Sequence, residues 1–235
     1  MFSSQRQSST TRLIEVRDLL AELKKMEDIP PTPDLLHVVG IRGLLIVNLY
    51  ACLEFSVNQA VERTLIIVDS LCVPYAHMTH KFHTVSMSDA FKSIKDSGAK
   101  KTWECRIKFI EKLFSSQPCH VNSSTFSLDL QNVWPNTLTE LLSCFGIDKP
   151  HLPNVMYAGH IDDIVNKRNA VAHGRESPQI IGRSQRCLEL EAKWHIISET
   201  CEHIISVFDE YVNNLEFIIP SMRGKYSKKL SALGV

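Results

Sequence analysis

The sequence lacks several features that would place it in a common protein class at once. Its seven cysteines form no CxxC pair, a pattern typical of reduced cytosolic thiols. It has no Gly-rich phosphate loop, no Gly-x-Ser-x-Gly elbow and no His-Glu-x-x-His element, so the enzyme classes that depend on these motifs are not indicated. A secretory signal and an uninterrupted apolar run of about 18 residues are also missing. We therefore expect a soluble cytoplasmic protein.

The chain also lacks a net charge, because 26 Lys and Arg residues balance 26 Asp and Glu residues. No global field favours nucleic acid or anionic lipid, so any RNA site must be a local patch. Hydrophobic residues are 44% and charged residues 22% of the 235 residues. These values are typical of a folded globular protein and not of a disordered one.

Apolar residues recur every three or four positions along most of the chain, which predicts an all-α bundle. A first helix, which starts near Thr10, ends at a proline-rich segment. Thr32 is predicted to cap a long second helix that continues to Pro74 and forms the central strut of the bundle. Gly40 and Gly43 lie about one turn apart in this helix and permit either a bend or the close approach of another helix.

The middle of the chain, residues 74–153, is richer in helix-breaking residues and predicts shorter helices around a loop at 115–132. An amphipathic helix is predicted over 161–172, then a polar loop over 175–183, and a last long helix from Ser184.

This pattern predicts a single helical domain over residues 1–220, in which 74–153 form a helical and loop insertion. Residues 221–235 are predicted to be a basic, frayed tail in solvent. Its basic residues are Arg223, Lys225, Lys228 and Lys229.

The most informative stretch is Asn166–Gly174, at the end of a predicted helix. Arg168 is followed directly by Asn169 and, after four intervening residues, by His173. RNA carries its own nucleophile, the 2′-hydroxyl, so an arginine that binds phosphate and a histidine that moves a proton could suffice for cleavage. On one straight helix the arginine and histidine project about 140° apart. Two copies that meet at a symmetric interface could bring them into one cleft.

This pattern resembles the Arg-x4-6-His signature of the HEPN superfamily and is most similar to its RiboL-PSP-type and related bacterial defence-associated domains. Long helices before and after the motif match that layout. The resemblance implies an HEPN-like bundle that works as a homodimer without a cofactor and cleaves RNA to a 2′,3′-cyclic phosphate and a 5′-hydroxyl. It further implies a toxin or anti-phage defence effector that an antitoxin or another regulatory partner restrains.

In this interpretation Arg168 binds the scissile phosphate, His173 is the general acid and base, and Asn169 supports the phosphate or the base. Glu54, a carboxylate in the long apolar helix, is predicted either to orient the motif or to form a structural ion pair. Four further basic residues near the motif could guide RNA phosphates, although each could also be a plain surface charge: Lys167, Arg175, Arg183 and Arg186.

Several alternatives stay open. Arg168 and His173 would also complement the dipole of a helix C-terminus without any catalytic role. The bundle could instead be a non-catalytic dimerisation or regulatory module. A catalytic dimer would bring two Arg168/His173 pairs to one open, basic cleft, whereas pairs that are buried in ion pairs or that face solvent separately would favour the module. Some HEPN relatives are nucleotide-binding partners of nucleotidyltransferases, but the tyrosine that often follows the histidine in that branch is replaced here by the segment 174–176.

Three histidines, His77, His80 and His83, repeat every three residues near Cys72. This spacing drifts around a helix, and no fourth ligand stands at a recognised distance along the chain. We therefore predict a histidine-rich surface turn and no metal site.

Overall fold

A computed structural model describes residues 1–98, 100–123 and 132–233 of the chain. Within these residues there is no β-strand, and the all-α prediction is confirmed. The described residues form ten α-helices: α1 Ser3–Met26, α2 Leu36–Ser70, α3 His83–Ser86, α4 Ser88–Asp96, α5 Thr102–Leu113, α6 Pro135–Phe145, α7 Ala158–Ala172, α8 Pro178–Arg183, α9 Cys187–Asn213 and α10 Arg223–Leu233. Part of the loop predicted over 115–132, residues 124–131, lies outside the described residues.

The 35-residue helix α2 forms the centre of the bundle and packs against α1, α7, α8 and α9. By length and composition alone, α2 is also apolar enough to cross a membrane, but 56% of its most apolar 18-residue window is buried inside the bundle. The same combination occurs in the core helix of a soluble bundle, since a helix surrounded by other helices is apolar on most of its circumference.

Helices α2 and α8 cross at a pair of glycines. A Cβ atom on Gly43 would lie 2.0 Å from the carbonyl oxygen of Pro178, and one on Gly182 would lie 1.8 Å from the carbonyl oxygen of Val39. Any side chain at either position would therefore collide with the backbone of the other helix. Of the two roles that the sequence leaves open for the glycines of α2, the structure shows the close approach.

The start of α2 differs from the prediction. The helix begins at Leu36, with Leu35 as its N-cap, and not directly after Thr32. Asp34 instead accepts a hydrogen bond from the backbone N–H of Asp28 at 2.8 Å and forms an ion pair with Arg42 at 2.7 Å. These contacts hold the proline-rich segment in a turn, which delays the first helical residue.

The polar segment 175–183, predicted as a loop, contains the short helix α8. Its N-terminus is capped by Ser177, whose Oγ accepts the backbone N–H of Ile180 at 3.3 Å, and Pro178 is its first residue. The last long helix begins at Cys187 and not at Ser184.

The described part of the tail, up to residue 233, is not frayed, which corrects the prediction for these residues. Helix α10 packs on the bundle through Tyr226 and Leu230, which are one turn apart and both buried. The Tyr226 hydroxyl lies 2.7 Å from Nδ1 of His77, and Nζ of Lys229 donates to the carbonyl oxygen of Leu71 at 2.9 Å. Two apolar residues on one face of a basic segment are enough to dock it.

Candidate active site

The motif lies at the C-terminal end of α7, where the sequence predicts it. Helix α7 is anchored by Ile161, Ile164 and Val165, which are buried against the bundle. His173 is the C-cap residue, and its backbone N–H donates to the carbonyl oxygen of Asn169 at 3.0 Å. Gly174 has the positive φ of +66° that ends the helix in a left-handed conformation.

The guanidinium of Arg168 is held by neighbours on several sides. Its central carbon lies 4.2 Å from the centre of the Tyr50 ring, in a cation–π contact. Its Nη1 donates to Oδ1 of Asn169 at 2.8 Å and to Oδ1 of Asn132 at 3.3 Å. The Arg168 side chain keeps 22% of its surface exposed, so a ligand can still reach it. Asn169 is therefore a direct neighbour of the arginine and orients it.

Glu54 completes the surroundings of Arg168. Its Oε1 lies 3.7 Å from Nη2 of the arginine and accepts a hydrogen bond from the Tyr50 hydroxyl at 3.0 Å. The Tyr50 oxygen in turn accepts the backbone N–H of Val133 at 3.1 Å. Burial raises the pKa of Tyr50 to about 12, so the phenol is protonated at neutral pH and donates to the carboxylate. Glu54 thus contacts Arg168, a residue of the motif that it was predicted either to orient or to pair with.

His173 stands apart from this network. Its side chain is exposed, and it makes no hydrogen bond or ion pair to any residue in the described part of the chain. It forms no hydrogen bond with Arg168, so a single chain presents an oriented cation and a separate, accessible imidazole.

Of the four additional basic candidates, two form ion pairs with described residues and two do not. Lys167 forms an ion pair with Asp163 at 2.7 Å, and the same carboxylate contacts Lys193. Burial alone would raise the pKa of Asp163, but the two lysines lower it below its ordinary value. The positive charge of Lys167 is therefore partly neutralised by Asp163.

Arg186 belongs to a different cluster. It pairs with Glu27 at 3.3 Å and with Asp34 at 3.0 Å, and both carboxylates also contact the buried Arg42. Through these ion pairs Arg186 has a structural role, because it links the segment before α2 to the start of α9. Arg175 and Arg183 are exposed and have no ion pair with any described residue, so the charge of these two is not neutralised by a described neighbour.

The side chains of the histidine-rich segment contact different partners. His77 contacts Tyr226, whereas His83 lies 3.2 Å from the Ser86 hydroxyl and stacks on Tyr75. In the part of the chain that the structure describes, no group of three or more His, Cys, Asp or Glu side chains is placed to hold a metal ion.

Two neighbours of Arg168, Tyr50 and Asn132, are not among the residues that the sequence singles out. Tyr50 stands one turn before Glu54 on the same helix, and this spacing is the signal that could have found it. Asn132 is the last residue of the segment that the sequence predicts as a loop, and there periodicity carries no information about contacts.

Comparison with known families agrees with the motif. The family model RiboL-PSP-HEPN matches residues 10–216. No curated protein and no solved structure is significantly similar to the chain.

Proposed function

The chain belongs to the RiboL-PSP family of HEPN domains, and we propose that it is a metal-independent endoribonuclease. The observation that carries this proposal is the arrangement around Arg168. The stacked Tyr50 ring and two amide oxygens fix the plane of its guanidinium, while part of it stays accessible. A planar cation held in this way presents directed N–H donors to a phosphate with little loss of entropy on binding.

In the proposed reaction, the 2′-oxygen of the RNA attacks the adjacent phosphorus while the bond to the 5′-oxygen breaks. A neutral imidazole takes the 2′-hydroxyl proton, and a protonated one gives a proton to the leaving 5′-oxygen. Arg168 stabilises the charge that builds up on the phosphorane oxygens. The products are a 2′,3′-cyclic phosphate and a 5′-hydroxyl, and no water is consumed in this step.

A homodimer suits this chemistry because one chain supplies only one His173, which forms no hydrogen bond with its own Arg168. Two α7 ends that meet across a two-fold axis would supply two imidazoles and two guanidiniums to one cleft. Arg175 and Arg183, which follow the motif and are exposed, would widen the positive patch along the RNA. The finer role that we propose is a toxin or anti-phage defence effector that an antitoxin or another regulatory protein restrains.

The test is cleavage of a mixed RNA pool in chelator by wild type, by His173→Ala and by His160→Ala. His160 is an exposed histidine on the same helix, so its replacement controls for the loss of a surface imidazole. We expect His173→Ala to cleave about 10²–10⁴ times more slowly than wild type, and His160→Ala to match wild type.

The wild-type products should end in cyclic phosphate and 5′-hydroxyl groups. Equal cleavage by wild type and His173→Ala would contradict the assigned acid and base. A folded wild-type dimer without any cleavage would favour the non-catalytic dimerisation module.

A further inference from the structure

Helix α5 presents a row of large apolar side chains to solvent. We call it the α5 stripe, and its exposed fractions are 70% for Trp103, 58% for Ile107, 53% for Ile110 and 77% for Phe114. The other side of α5 contacts α4, where the ring centre of Phe109 lies 5.1 Å from that of Phe91, and Phe109 and Leu113 pack against the hydrophobic core. A continuous exposed apolar patch on a soluble protein usually marks an interaction surface.

The spacing of the stripe favours another helix as its occupant. The four residues follow one another at intervals of four, three and four, which is the a and d repeat of a two-stranded coiled coil. At 100° per residue they fall within about 60° of the helix circumference. A helix that lies in a membrane surface has a broader apolar face and a polar face rich in Lys and Arg. The polar residues of α5 do include Arg106, Lys108 and Lys112, but the stripe is narrow and Glu104 and Glu111 lie directly beside it.

The charged residues beside the stripe are complementary when two copies of α5 pack in parallel. With Trp103 and Ile110 at d positions, Glu104 and Glu111 are at e and Arg106 is at g. In a parallel pair, a g residue meets the e residue five positions later on the other helix. Arg106 of one helix would thus meet Glu111 of its twin. An antiparallel pair would instead bring the two rows of glutamates together.

Both members of that pair are available. Arg106 lies over the Trp103 ring at 5.0 Å, and within the described residues it pairs with no carboxylate. Glu111 is exposed and pairs with no described cation, whereas Glu104 is already bonded to Lys108 at 2.6 Å. The two unpaired charged residues beside the stripe, Arg106 and Glu111, are therefore the ones that would pair with each other across a parallel dimer.

We propose that the α5 stripe binds the α5 stripe of a second copy of this chain in parallel, with an Arg106–Glu111 pair on each side of the seam. The two-fold axis would run along the helices, so both copies use the same patch. Four large side chains per copy bury about 1,000 Å² in total, which is near the lower limit for a specific interface and predicts a weak, micromolar association. This interface is separate from the α7 face and does not rest on the proposed nuclease activity.

The first experiment measures the mass of the full chain by sedimentation velocity from about 1 to 200 μM, a range chosen to span a weak association. We compare wild type with the double variant Ile107→Asp/Ile110→Asp and with Leu188→Asp. Leu188 is 75% exposed and lies on α9, outside the stripe. The double variant should lose the increase in mass that wild type shows at high concentration, and Leu188→Asp should keep it. All substituted side chains are exposed, and circular dichroism verifies that the helices persist.

The second experiment reverses the charges. Arg106→Glu and Glu111→Arg, each alone, turn two attractions into two repulsions and should raise the dissociation constant about tenfold. The double reversal restores opposite charges and should return it to near the wild-type value. A wild-type mass that the stripe variant leaves unchanged would overturn the proposal, as would a double reversal that fails to recover association. A dimer through α7 would survive in every stripe variant, so the two proposals fail separately.

Discussion

The crossing of α2 and α8 gives the most stringent prediction about the fold. Gly43→Ala places a methyl group where the carbonyl oxygen of Pro178 lies only 2.0 Å from the ideal Cβ position. The obstacle is backbone, which cannot turn aside as a flexible side chain would. Helix α8 must therefore move away from α2 by more than about 1 Å. The effect is comparable to the insertion of a methylene group into a packed core.

Gly40→Ala, one turn earlier on the same helix, is the matched control. Its Cβ would meet nothing closer than Cγ of Gln179 at 3.5 Å, an ordinary van der Waals contact. Alanine is favoured over glycine inside a helix by about 0.5–1 kcal/mol, so this variant should be more stable than wild type by that amount. Gly43→Ala gains the same preference but loses about 3 kcal/mol to overpacking against backbone. We expect a net destabilisation of about 2 kcal/mol.

Urea unfolding at neutral pH, followed by circular dichroism, measures both variants. The reasoning depends on the difference between them, about 3 kcal/mol, since helix propensity cancels in the comparison. If Gly43→Ala were as stable as Gly40→Ala, the two helices would not cross as closely as described.

Two further changes address the site and the ion-pair cluster. Arg168→Lys keeps the charge but loses the planar group that stacks on Tyr50, so we expect RNA cleavage to fall about 10²-fold while the melting temperature stays near that of wild type; unchanged cleavage would show that charge alone suffices. For Asp34, burial alone would raise the pKa, but Arg42 and neighbouring donors lower it below its ordinary value. Its stabilisation is therefore present above about pH 4 and is lost as the pH falls toward the folded-state pKa. Urea titrations should show Asp34→Asn less stable than wild type by about 2–3 kcal/mol at pH 7 and a gap that narrows as the pH falls below about 4, whereas a constant gap would contradict the linkage.

The bundle could be predicted because its signals are local. Apolar periodicity located the long helices, and the spacing of Arg168 and His173 located the motif on the end of α7. The start of α2 could not be predicted in the same way. Asp34 is held by Arg42 and by Arg186, which is 152 positions away, and no local pattern shows a contact of that range.

The surroundings of Arg168 show the same division. Asn169 is its sequence neighbour and could be found from the motif. Glu54 was predicted because a carboxylate in an apolar helix needs a partner. Tyr50 was missed because an aromatic residue in an apolar stripe usually belongs to the core, and its contact with a cation 118 positions away becomes visible only in three dimensions.

The glycine crossing and the arginine network lie on one face of α2. Gly43, Tyr50 and Glu54 are separated by seven and four residues, so they project within about 40° of one another. Helix α8 packs on this face at Gly43, and the end of α7 contacts it at Tyr50 and Glu54, two and three turns further along. The segment between α7 and α8 carries His173 and is thus fixed to α2 on both sides. Only four residues of chain separate His173 from α8, so we expect a shift of α8 at the crossing to move the imidazole as well.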